Sequence, residues 1–134
     1  MSKTNRSGQS TVITQKQLEQ LKANLTEKYS LLAELMYFSA GRVSEISTIK
    51  VRNLNFTSGG LTIEKGNTKT KQTRQVPIHP STLENLRQWI NTNELKDDDY
   101  IFFTDSRNTH YKKGEKAVSV QGVDQKLRHA FDFI

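Results

Sequence analysis

The residues best suited to chemistry are Arg42 and Glu45, within the run Ser39 to Ile46, Ser-Ala-Gly-Arg-Val-Ser-Glu-Ile. An apolar helical run, Tyr29 to Phe38, leads into it with no polar linker. This pattern predicts that a helix stops at Ala40-Gly41 and restarts at Arg42, which fixes the arginine at an interhelical corner. Glycine suits the tight turn, because it takes backbone angles that other residues resist. Glu45, three residues on, shares a face with Arg42 and is expected to hold its guanidinium in a local ion pair. A guanidinium ordered in advance loses little further freedom when it grips a flat anion such as a phosphate. A purely structural arginine–glutamate pair satisfies the same spacing.

A second cationic stretch is Lys65-Gly66-Asn67-Thr68-Lys69-Thr70-Lys71-Gln72-Thr73-Arg74, which has no apolar anchor. It reads either as a solvated turn or as a finger that reaches a phosphate or a groove. The formal net charge of +6 favours a polyanionic partner. The absence of cysteine excludes disulfides and thiolate metal sites, and His79, His110 and His129 are scattered without metal-ligand spacing. No metal or cofactor is therefore expected. No apolar run is long enough for a membrane span and no signal peptide opens the chain, so a cytoplasmic or nucleoid-associated protein is expected.

These residues need a scaffold. With 134 residues and 34% apolar content, the chain suits one domain with an economical core. Residues 1–11 read as a disordered basic arm and 12–134 as the domain. A helix capped by Thr14 should run to Leu25, a buried central helix from Glu27 to Phe38, and a third helix from Arg42 to Lys50. Strands are expected at Val51 to Phe56 and Leu61 to Lys65 around the turn Thr57-Ser58-Gly59-Gly60, and at Arg74 to Ile78. Ser81 and Glu84 stand at capping-box spacing for a helix that buries Leu83, Leu86, Trp89 and Ile90. Tyr100 to Phe103 reads as a short strand, and Ser119 as the cap of a last helix carrying Val120, Val123, Leu127, Ala130, Phe131 and Ile134. The expected class is α+β, mostly helical, with a small antiparallel three-stranded sheet at one edge.

This order of elements resembles the catalytic domain of the tyrosine recombinases, the phage-integrase family, from about Val12 to Ile134. The specific parts are Ala40-Gly41-Arg42-Val43-Ser44-Glu45 and Lys69-Thr70-Lys71-Gln72-Thr73-Arg74-Gln75-Val76-Pro77. The second is similar to the family's Lys-Thr-Gly-Lys-Thr-Arg-x-Val-Pro hairpin. The resemblance implies site-specific recombination or integration of double-stranded DNA, with strand cleavage and rejoining through a 3′-phosphotyrosine. It implies that Arg42 neutralises the non-bridging oxygens of the transition state. Lys69 would be the general acid for the 5′-oxygen, with Lys65 as its rival in the same hairpin. Glu45 would support Arg42, and Lys65, Lys71 and Arg74 would contact the DNA backbone. Other recombinase protomers are implied as partners, with no membrane and no small-molecule cofactor.

The family's second arginine, in His-x-x-Arg, and its nucleophilic tyrosine have no match in this chain. Gln125-Lys126-Leu127-Arg128-His129 resembles that motif superficially, but it lies on the helix that precedes it in the family, so Arg128 is expected at the surface. Tyr29, Tyr37, Tyr100 and Tyr111 all lie upstream of the nucleophile's place. The chain is therefore expected to be the front portion of a catalytic domain, inert alone. The alternatives are a non-catalytic DNA-binding protein or recombinase regulator, and an unrelated basic α+β nucleic-acid module.

Overall fold

The apolar run Tyr29 to Phe38 becomes the helix on which the other helices pack. In a computed structural model, the structure describes residues 14–39, 41–63, 74–104 and 113–132. Helix α1 (Gln15–Ala23) opens with a capping box: Thr14 Oγ1 accepts from the Gln17 amide, and Gln17 Oε1 accepts from the Thr14 amide. Its Leu18 and Leu21 turn inward onto α2 (Glu27–Ser39). Leu31, Leu32, Ala33 and Leu35 of α2 are all buried, so the expected central position holds. α2 also packs against α3 (Val43–Ile46), α4 (Pro80–Thr92) and α5 (Val120–Phe131).

The third helix is a single turn rather than the two or more turns expected. Its backbone meets competition from side chains. The Thr48 hydroxyl donates to the Ser44 carbonyl at 2.9 Å, and Asn53 Oδ1 takes the Lys50 amide at 2.8 Å. The same Asn53 closes a 3₁₀ turn, Val51–Asn53, where the first half of a strand was expected. The sheet is consequently smaller than anticipated. Its order is β1 (Leu54–Asn55), β2 (Gly60–Ile63), β3 (Arg74–Pro77), antiparallel throughout. Leu61 pairs with Leu54 on one side and Val76 on the other, and Ile63 pairs with Arg74. The turn between β1 and β2 uses Asn55 Oδ1 to accept the amides of Thr57 and Ser58, and Gly59 at φ 75° completes it.

The cap of α4 lies two residues before the expected one. Pro80 fits the first helical position, where a missing amide costs nothing, and so His79 becomes the cap, its Nδ1 accepting from the Ser81 amide. Glu84 pairs instead with Arg87 at 3.3 Å. The helix ends in a Schellman arrangement, with Leu95 N bonded to the Ile90 carbonyl and Glu94 left-handed at φ 55°. Tyr100 to Phe103 is no continuous strand; it makes single bridges, Lys50 to Tyr100 and Phe103 to Ala117. Trp89 belongs to the core as anticipated. It stacks on Phe103 with ring centres 5.7 Å apart and donates its indole N–H to the Ile101 carbonyl. Ser119 caps α5, accepting from the Gly122 amide at 2.9 Å. The α+β class, mostly helical with a three-stranded antiparallel sheet, is as expected from the sequence.

Candidate nucleic-acid interface

Arg42 stands at the start of α3, extended at φ −81° and ψ 155°, with its side chain exposed. Before it, the Ser39 hydroxyl donates to the Leu35 carbonyl and accepts from the Gly41 amide, which closes α2. Gly41 is required for a reason other than its backbone angles, since it is not left-handed. A Cβ there would lie 2.6 Å from Ile46 Cδ1 and 2.7 Å from its Cγ1, and Ile46 is wholly buried. The expected backbone role of this glycine thus gives way to one of close approach. Gly41→Ala is expected to destabilise the fold by about 2 kcal/mol through overpacking, measured from urea midpoints. It should also displace the Arg42 corner.

Glu45 lies one turn along α3, with its side chain only 11% exposed. Its Oε1 accepts from the backbone N–H of Arg42 at 3.0 Å and from Nη2 of Arg74 at 3.0 Å. The carboxylate therefore supports Arg42 through the main chain, not through the expected guanidinium pair. Among the described residues, the Arg42 guanidinium makes no hydrogen bond or ion pair. The structure thus brings together Arg42, Glu45 and Arg74 from two separate elements. Lys65, Lys69 and Lys71 lie outside the described residues.

The Arg74–Glu45 pair is the element that sequence reasoning missed. The two residues are 29 positions apart, and no local spacing announces the contact.

The remaining residues singled out in the sequence are distributed elsewhere. Arg128 is exposed on α5, as expected. Tyr29 is half-buried, with Lys28 Nζ 5.1 Å and Lys126 Nζ 6.0 Å from its ring centre. Tyr37, expected within a buried helix, is exposed at its edge and meets Phe38, whose ring stacks on His79 at 5.4 Å. Among the described residues no His, Asp or Glu cluster could hold a metal ion, and no helix is long and apolar enough to cross a membrane.

Residues 11–133 match the phage integrase family. The chain belongs to that family. A tyrosine recombinase of Pseudothermotoga lettingae is 29% identical over 109 residues, which cover 75% of this chain and 37% of the relative. The tyrosine recombinase XerA of Pyrococcus furiosus is 27% identical over 112 residues, 75% of this chain and 38% of the relative. The phage-integrase chain thus spans about two fifths of the length of the curated relatives it matches. Among solved structures, the XerA recombinase crystal structure superposes with a TM-score of 0.72 at 11% identity, over 92% of this chain and 43% of the other. The integrase from mycobacterium phage Brujita gives 0.64 at 17% identity, over 93% and 39%. These likenesses carry the fold, and the family assignment accounts for the order of helix, arginine corner, sheet and capped helix.

Proposed function

We propose that this chain contributes the first arginine corner and the lysine hairpin to a domain that cuts and rejoins DNA in site-specific recombination or integration. The observation that carries this reading is the Arg42 guanidinium, exposed at a corner whose backbone Glu45 pins, with no acid among the described residues to quench it. Arg42 would bind the non-bridging oxygens of one phosphodiester, where negative charge grows as a tyrosine oxygen attacks phosphorus and the bond to the 5′-oxygen breaks. Lys69 would pass a proton to that 5′-oxygen, with Lys65 as its rival for the role. Lys65 and Lys71 would contact the DNA backbone and set the register. The partners are duplex DNA and other protomers of a recombinase, in the cytoplasm of a bacterium or of an infected cell.

Duplex binding tests this reading. The chain is expected to bind a short duplex with an affinity that falls as salt rises, and Arg42→Ala should weaken binding about fivefold and lower the slope of log K against log salt by about 0.9, one phosphate's share. A large fall in urea midpoint with an unchanged slope would instead make Arg42 a structural residue.

A further inference from the structure

Glu45 holds two partners with one oxygen, and they come from different parts of the fold. Arg42 N and Arg74 Nη2 both donate to Oε1 at 3.0 Å. α3, which carries Glu45, packs on α2 and α5, whereas β3, which opens with Arg74, packs on β2. The carboxylate is poorly served by solvent, at 11% exposure, and the Arg74 side chain beside it is 44% exposed.

Among the described residues, two arginines are placed to serve this carboxylate. One is Arg74, across the fold. The other is Arg42 itself, three residues back on the same turn, a spacing at which acid and base pair readily. If the carboxylate turned to the Arg42 guanidinium, it would leave the Arg42 amide and cancel the charge that a phosphate needs.

The geometry points to Arg74 as a positioning residue for Arg42, not a phosphate contact of its own; this rests on the DNA-binding reading above. Arg74 satisfies the charge of Glu45, so the carboxylate stays on the Arg42 backbone. The Arg42 guanidinium then keeps its full charge for the anion. The same bridge sets the start of β3 against the arginine corner. This revises the expectation that Arg74 touches the DNA backbone.

Two measurements on the whole chain test the assignment. In the free protein, amide hydrogen exchange at Arg42 should rise about tenfold in Arg74→Gln, as a hydrogen bond to a charged group is lost, and Arg74→Lys should restore it. Exchange in the core of α4, at Leu86, should not change. On a short duplex, Arg74→Gln should weaken binding in the otherwise native chain but add nothing in an Arg42→Ala background, because its effect passes through Arg42. If the native chain binds no duplex, the functional reading fails, and the exchange measurement still decides the role of Arg74. Unchanged exchange at Arg42 in Arg74→Gln would overturn the proposal. So would a further fall of about 0.9 in salt slope on adding Arg74→Gln to Arg42→Ala, since that is the mark of a direct phosphate contact.

Discussion

Phe102→Ala is expected to destabilise the domain by about 4 kcal/mol, within the usual range for emptying a buried phenylalanine site. Phe102 has no exposed surface and sits in the main core with Ile101, Leu86 and Val123, which are buried equally completely. Its ring has no route to solvent, so the cavity left by alanine can be filled only by moving neighbours in a close-packed interior. The backbone at this point adds to the cost of such movement. The Phe102 carbonyl accepts from Val118 N, and the neighbouring Phe103 carbonyl accepts from the buried Lys28 ammonium at 2.9 Å. These bonds tie the segment to the approach of α5 and to the start of α2, so collapse into the cavity would strain both. Stability for a chain of this length is on the order of 10 kcal/mol, so the variant should lose a large share of it. A thermal midpoint lowered by about 12 °C is the expected reading, with the same cooperative transition. A shift of only a degree or two would mean that the site repacks freely and that the core is looser than its burial indicates.

Features set by local chemistry were legible in the sequence. The apolar run of α2, the Thr14 and Ser119 caps and the turn around Gly59 each depend on residues a few positions apart. The family motif around Arg42 belongs with them, since it lies within one short segment. Other features depend on which of two partners a group selects, and periodicity does not report this. α3 stops early because Thr48 and Asn53 side chains take backbone groups that a longer helix would use. The cap of α4 falls on His79 because Pro80 is tolerated at one helical position and not deeper. Gly41 is needed for the close approach of Ile46, which is visible only in three dimensions. Glu45 meets Arg42 at its amide and not at its guanidinium. Its charge is matched by Arg74, from another element.

The same principle of partner choice governs the second large effect, expected at Glu34. α2 looks almost wholly apolar, yet Glu34 lies inside it at 4% exposure. Its carboxylate joins three helices: Oε1 pairs with Lys22 Nζ of α1 at 2.7 Å, and Oε2 accepts from the Thr82 hydroxyl of α4. Thr82 is fully buried, and solvent does not reach Glu34 Oε1. Lys22→Met is therefore expected to cost about 3 kcal/mol, because it strands a carboxylate that water cannot rescue. This is the lower end of the range for broken buried pairs, as the Lys22 side chain is 21% exposed and part of its charge is already hydrated. The pair itself need not be the source of stability, since bringing both charges out of water opposes their attraction. The triple variant Lys22→Met, Glu34→Leu, Thr82→Val removes the Glu34 carboxylate together with its two described partners and should be more stable than Lys22→Met alone. Urea midpoints at constant m-value measure both. If the triple variant proved less stable than the single one, the charges would be net contributors, and the network would have to be credited with holding α1 and α4 on α2. If it proved more stable, the polar trio would act to fix how α2 sits between its neighbours. The arginine corner at the end of that helix depends on that placement.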